Sequence, residues 1–347
     1  MSERFHALVR GERRGPLASL ARLGLWGASA PYRLGVGVRN SLFDRGWKKV
    51  YRAAVPVVCV GNLTLGGTGK TPFVEYVARF YRDLGVRVAI LSRGYGSEAG
   101  RNDEAMVLEE NLPDVPHLQG RDRVALANTA VEELEAELLV LDDGFQHRRL
   151  HRDLDVVLID ATRPPQCDWV FPRGTLREPV GGLQRAGVIV LTRCDQVPPE
   201  RVDEIRRWLA ARFPTTPVAT TAHAPVELIG GDGVTAPVEE LCGESVAAFC
   251  GIGNPAAFRR TLESLGANVT AFRNFPDHHA YTLADVDDLR AWASNQSVSA
   301  VATTQKDWVK LRTPDLGGRP LWAVRIGMKF RDGEDRLTDA LRAVAPT

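Results

Sequence analysis

Apolar residues along the chain fall into two kinds of pattern. Short unbroken runs at 55–60, 86–91, 137–141, 155–160 and 187–192 are rich in Val, Ile and Leu. Runs of that length and composition predict strands buried on both faces. Between and after them, 73–84 and 202–213 show helical spacing, and Gly85 ends the first. A second series follows: strands at 245–250, 269–275, 299–304 and 322–326, with helices at 256–265 and 283–292. Residues 197–243 read as a linking region that is otherwise rich in loops. Strand and helix alternating in this way predict an α/β fold, with a parallel sheet flanked by helices. The divisions expected are an arm at 1–52, a core domain with its linking region at 53–243, and a smaller α/β domain at 244–347.

The length of 347 residues agrees with about two domains. Hydrophobic residues at 44% and charged residues at 25% exclude disordered, collagen-like and coiled-coil chains. Five scattered cysteines form no CxxC pair, which argues against a disulfide framework or a cysteine-rich zinc site and fits a reducing compartment. Charge changes the picture more. Residues 1–52 hold eleven Lys/Arg and three Asp/Glu, a net of +8, while the rest of the chain has a net of −7. In that arm Leu17, Leu20, Leu23, Trp26 and Leu34 alternate with Arg22, Arg33 and Arg39. Its longest charge-free stretch, 23–32, contains Pro31 and is too short to span a bilayer. It also lacks the pattern of a secretory signal. Two readings stand: a helix lying in the headgroup plane, or a pair of amphipathic helices packed on the body.

The strongest chemistry follows the first strand. Residues 61–72 read Gly-Asn-Leu-Thr-Leu-Gly-Gly-Thr-Gly-Lys-Thr-Pro and open a helix, the context of a phosphate-binding loop. Thr64, Leu65, Gly66, Gly67, Thr68 and Gly69 would turn their N–H groups around phosphate oxygens, helped by the helix N-terminus. Lys70 would reach the β and γ phosphates, and the Thr71 hydroxyl a Mg²⁺ ion. Thr64 stands where that pattern usually has glycine. The strand at 137–141 runs into Asp142 and Asp143. A carboxylate there holds Mg²⁺ directly or through water. Gln146 and His147 extend from it. Arg93, at the end of the second strand, is either near the phosphates or a solvated turn residue.

Several signals are ambiguous on their own. Asp103 and Glu104 fit a solvated loop. Arg177 and Glu178 lie in a loop between strands. Residues 192–195 distantly match a guanine-reading motif. The Gly251-Ile-Gly sequence lacks a full dinucleotide fingerprint. Asp277, His278 and His279 stand side by side without a third metal ligand nearby.

Taken in order, 61–72, Ser92-Arg-Gly-Tyr95, Asp103-Glu104, Asp142-Asp-Gly-Phe-Gln-His147, 171–178, 251–255, Asp277-His278 and Thr304-Gln-Lys-Asp307 resemble the tetraacyldisaccharide 4′-kinase family, in which Thr64 is the usual residue. The resemblance implies transfer of the γ-phosphate of MgATP to the 4′-hydroxyl of a tetraacyldisaccharide 1-phosphate, making a lipid A precursor. It places the enzyme at the cytoplasmic face of the inner membrane, with the basic arm docked on the lipid surface and no nucleic-acid or obligate protein partner. It implies Asp103 as base, His278 as its orienting partner across the domains, and Asp142 and Asp143 at the metal. Arg93, Glu104, Gln146, His147, Arg177 and Glu178 become candidates for substrate or closure contacts. Here the sequence has Asn102 and Ala105 beside the acidic pair, and Gln305 where Glu is common. The competing reading is a soluble P-loop switch GTPase or ATPase of the metallochaperone type, which has no use for the arm or for Asp277-His278.

Overall fold

The computed structural model describes residues 3–9, 11, 13–66, 68–94 and 103–346. Gly67, Tyr95 and Asn102 lie outside them. In chain order the first elements are α1 (Glu3–Val9), α2 (Pro16–Asp44), β1 (Val57–Asn62), α3 (Lys70–Asp83), β2 (Val88–Ser92), α4 (Asp103–Asn111), β3 (His117–Gln119) and α5 (Arg123–Glu132). There follow β4 (Leu138–Asp142), β5 (Leu154–Asp160), β6 (Val188–Thr192), α6 (Pro199–Arg212), β7 (Val218–Ile229), β8 (Thr235–Ala236) and β9 (Ser245–Cys250). The last are α7 (Pro255–Ser264), β10 (Asn268–Asn274), α8 (Leu283–Ser294), β11 (Ala300–Thr304), α9 (Gln305–Leu311), β12 (Asp315–Leu316), β13 (Arg319–Asp332) and α10 (Glu334–Arg342).

These elements form two compact units. The first comprises Met1–Arg93, Val115–Ala222 and Lys329–Thr347, and the second Gly94–Asp114 and His223–Met328. In the first unit the strands run β7-β6-β5-β1-β4-β2-β3, all parallel. The five apolar runs are its central strands, and β1 is buried along its whole length. One face packs Cys59, Leu141, Phe145, Leu191 and Leu209 into a single core. Tyr81 on α3 is fully buried, and its hydroxyl donates to the Leu341 carbonyl at 2.7 Å, which fixes α10 to this unit.

In the second unit the parallel order is β10-β9-β11-β13, with β12 antiparallel to β13. The division expected at 243/244 places 94–114, 223–243 and 329–347 differently. Apolar packing explains the first difference: Val107 of α4 shares a core with Phe249, Trp308 and Leu321.

The arm is one short helix and one long helix. Along α2 the sheltered positions Ala18, Arg22, Leu25, Ser29, Tyr32, Val36, Arg39 and Phe43 form a continuous stripe at intervals of three and four, joined in the last turn by Asn40, Ser41 and Leu42. That stripe is bonded to the body of the first unit. Ser29 donates to the Val170 carbonyl at 3.0 Å, Arg39 to the Gln146 carbonyl at 2.6 Å and Asn40 to Glu178 Oε2 at 2.9 Å. The other face carries Leu17, Leu20, Leu23, Trp26, Leu34 and Val38, all exposed, Leu17 to 82%. Pro31 stands on that exposed outer side. Among the described residues no helix is long and apolar enough to cross a membrane.

Candidate active site

The phosphate-binding loop joins β1 to α3, and its shape is set from several sides. Asn62 is fully buried and donates through Nδ2 to Thr68 Oγ1 at 2.9 Å. Thr192, at the end of β6, donates through its hydroxyl to the Thr68 carbonyl at 2.9 Å. Gly66 and Gly69 have φ of 112° and 84°, a region that L side chains avoid. Gly69 caps α3, so Lys70 and Thr71 occupy its first turn.

Thr64 is explained by what it pairs with. It bridges Leu176 in antiparallel fashion, Leu65 N–H donates to the Thr175 carbonyl at 2.8 Å, and Arg177 N–H donates to the Leu63 carbonyl at 2.7 Å. The first half of the loop is therefore extended backbone, which a β-branched residue adopts readily.

Asp142 ends β4, opposite Val60 of β1. Asp143 follows with φ of 52°. Its carboxylate lies 2.8 Å from Arg177 Nη1 through either oxygen, and 3.6 Å from Lys70 Nζ. Burial pushes that carboxyl up, but Lys70 and Arg177 overcome it and hold it below the ordinary range. Gly61 and Gly144 make this turn possible. A Cβ on Gly61 would stand 2.6 Å from Phe145 Cβ, and one on Gly144 2.2 Å from a Leu141 methyl.

Behind Asp143, Gln146 donates to the Asn62 carbonyl and to Glu178 Oε1, both at 3.0 Å. Glu178 is buried and paired with Arg185 at 2.9 Å. These contacts make Glu178 and Gln146 internal struts of the first unit. Burial, then Arg123, lowers the His147 imidazole to about 4. Arg93 is exposed at the end of β2.

The residues available to a metal in this unit are the Thr71 hydroxyl, sheltered in the first turn of α3, and the Asp142 carboxylate at the strand end. One hydroxyl and one carboxylate are the hard-oxygen set that Mg²⁺ takes when phosphates and water complete its octahedron. Asp143, expected beside Asp142 at the metal, lies between Lys70 and Arg177.

The second unit brings Asp103 and His278 together. His278 Nδ1 donates to Asp103 Oδ2 at 3.0 Å. The contact lies inside one unit, because α4 belongs to it, whereas the sequence led us to expect a contact across domains. Lys310 Nζ is 2.7 Å from the same Oδ2, and Lys306 Nζ is 3.1 Å from Glu104 Oε1. Burial pushes the Asp103 carboxyl up, but the bonds from His278 and Lys310 leave it below its ordinary value. The bond to Asp103 raises the His278 imidazole, against a smaller opposing effect of burial.

The loop beneath is tied by Asp307, which is fully buried. It accepts from Gly251 N–H at 3.1 Å, from the Tyr281 hydroxyl at 3.0 Å and from the Thr304 hydroxyl at 2.6 Å. His278 N–H donates in turn to the Gly251 carbonyl at 3.1 Å. The 251–255, 277–278 and 304–307 motifs therefore form one hydrogen-bonded cluster. Gln305 pairs with Asn111, its Nε2 donating to Asn111 Oδ1 at 2.6 Å. Asp307 belongs to the Thr304–Asp307 motif, whereas Lys310 had no place among the residues that the sequence pointed to. Lys310 stands one turn after Lys306 on the same helix face, a spacing that marks a basic face but not its partner.

The chain is similar to known proteins over most of its length. A family model for tetraacyldisaccharide-1-P 4′-kinase matches residues 21–345. The tetraacyldisaccharide 4′-kinase of Anaeromyxobacter dehalogenans (strain 2CP-C) is 43% identical, over 95% of this chain and 92% of that protein. That of Syntrophus aciditrophicus is 37% identical, over 86% of this chain and 87% of that protein. The crystal structure of LpxK from Aquifex aeolicus in complex with ATP superposes with a TM-score of 0.78 at 31% identity, covering 94% of this chain and all of that one. The chain belongs to the tetraacyldisaccharide-1-P 4′-kinase family.

Proposed function

We propose that this chain transfers the γ-phosphate of ATP to the 4′-hydroxyl of a tetraacyldisaccharide 1-phosphate, forming a lipid A precursor. The observation that carries the reading is the Asp103–His278 pair at 3.0 Å, on a chain that also holds the sequence of a phosphate-binding loop opening α3. In phosphoryl transfer the protein positions groups, neutralises charge and takes the hydroxyl proton. Here Asp103 takes that proton as the hydroxyl oxygen attacks the γ-phosphorus and the bond to the β-phosphate oxygen breaks, releasing ADP. His278, kept protonated over a wider pH range by Asp103, orients the carboxylate. The N–H groups of residues 64–69 and the Lys70 ammonium hold the triphosphate. Thr71 and Asp142 would hold Mg²⁺, which when bound neutralises charge on the phosphate oxygens.

The exposed stripe of α2 supports docking on a lipid surface. Leucines and a tryptophan on the outer face suit burial at the headgroup level, and the net +8 of residues 1–52 suits an anionic leaflet. We place the protein at the cytoplasmic face of the inner membrane, with the acceptor's acyl chains left in the bilayer. The switch-GTPase alternative is not favoured by family membership.

The test is transfer of labelled γ-phosphate from MgATP to tetraacyldisaccharide 1-phosphate in mixed micelles, beside Lys70→Ala and Asp103→Asn. Transfer that vanishes in both variants, with ATP binding retained in Asp103→Asn, supports the reading. Full transfer by Asp103→Asn removes Asp103 as base.

A further inference from the structure

Helix α9 presents Lys306 and Lys310 one turn apart, and α4 begins with Asp103 and Glu104. The two ion pairs they make are not equivalent. Lys306 and Glu104 are both more than a third exposed, where an ion pair contributes little. The Lys310 and Asp103 side chains are exposed to only 11% and 17%. Lys310 is held from three directions. Its ammonium lies 2.7 Å from Asp103 Oδ2, donates to the His279 carbonyl at 3.1 Å and stands 6.0 Å from the centre of the Tyr281 ring. The ring is itself fixed by the bond from its hydroxyl to Asp307. So held, the ammonium is an anchored cation rather than a mobile surface charge.

Both partners of Asp103 converge on one oxygen. His278 Nδ1 bonds Oδ2 at 3.0 Å, and the closest approach of Lys310 Nζ to the carboxylate is to the same oxygen, at 2.7 Å. We propose that Lys310 is a positioning residue for Asp103: with His278 it holds Oδ2, so that Oδ1 is the oxygen that takes the acceptor proton. This rests on the reading of Asp103 as the base. The step is a simple proton transfer, in which the acceptor O–H bond breaks and an O–H bond to Oδ1 forms. The other charged groups around the pair are Lys306 on α9, Glu104 on α4 and Asp277 beside His278.

The test uses the full chain with Lys310→Met and Lys310→Arg, measuring kcat and KM for MgATP across the pH range in the micelle assay. Removing a cation beside a half-buried carboxylate raises its proton affinity by about one to three pH units. Lys310→Met should therefore move the acid limb of kcat up by about one pH unit and lower the plateau about tenfold, with KM for MgATP unchanged. Lys310→Arg should restore the limb. A loss equal at every pH and not relieved by arginine would make Lys310 a merely structural residue and overturn the proposal, as would an unchanged profile. Loss of transfer in Asp103→Asn with an unmoved limb in Lys310→Met overturns the positioning role alone. Full transfer by Asp103→Asn overturns the base reading and this proposal with it.

Discussion

The Arg177 guanidinium lies 2.8 Å from the Asp143 carboxylate, and the Tyr32 hydroxyl donates to the carbonyl of the same arginine at 2.9 Å. One residue thus joins helix α2 to the carboxylate that also faces Lys70. Replacing Arg177 with Met leaves Asp143 with Lys70 as its nearer cation. That change should weaken ATP binding about tenfold, because Lys70 is drawn more firmly to Asp143. Losing a charge-assisted bond of this shelter should also lower stability by about 1.5–3 kcal/mol. Calorimetric titration with MgATP and urea unfolding measure the two effects.

The Asp103–His278 pair sets a pH window. The Asp103 pKa is lowered in the fold, so its contribution is present above the ordinary carboxylate value of about 4 and is lost as pH falls through the folded value. The His278 pKa is raised, so its contribution is complete below about 6.5 and is lost as pH rises through the folded value. The pair is strongest between those limits. Urea midpoints of the wild type and of His278→Gln should therefore differ more at pH 5.5 than at pH 8.5. Equal differences at both values would show that the pair does not govern stability.

Gly61 has no room for a side chain. A methyl group there would meet Phe145 Cβ at 2.6 Å and its backbone nitrogen at 3.0 Å. Gly61→Ala should cost about 1–3 kcal/mol through overpacking. It should also reduce ATP affinity, because Asn62, the next residue, bonds Thr68 in the loop. A thermal melt and an ATP titration on the same sample report both.

The outer face of α2 can be changed without disturbing the inner one. Leu17, Leu20 and Leu34 are each more than 60% exposed, so replacing all three with Glu should leave the urea midpoint nearly unchanged. Sedimentation with anionic vesicles should fall at least about tenfold, since buried apolar area and favourable charge are both lost. Deleting the helix is a poorer experiment, because it strips Asn40 from Glu178 and Arg39 from Gln146.

Much of this was legible in the sequence. The central strands, α3 and the phosphate-binding loop follow from apolar runs meeting a glycine-rich turn, signals that local physics writes directly. Family resemblance supplied the Asp103–His278 pairing, and the two residues are in contact. Other elements were hidden for identifiable reasons. The strand β7 contains Pro225 after a run of small and polar residues, Ala219 to Ala224, and it read as loop. Helix α5 has no clear apolar stripe, and it is held by the Asp122 side chain, which accepts from two N–H groups of its first turn. Helix α4 begins with two carboxylates and read as a solvated loop, because its partners on α9 lie some 200 residues away. Lys310 was passed over for the same reason: its meaning depends on Asp103, and nothing near it in sequence announces that.

The pairing of Thr64 with Leu176 moves a familiar constraint elsewhere. Rigidity at a phosphate-binding loop is usually sought in the loop's own glycines. Here part of it is borrowed from a segment more than a hundred residues downstream, where Gly174 is confined because a Cβ would strike the Trp169 carbonyl at 2.0 Å. Position 64 therefore accommodates a side chain, whereas position 174 has no room for one. A pattern search demanding glycine at the first of these would overlook the chain, and a variant at the second would damage nucleotide handling while touching no nucleotide.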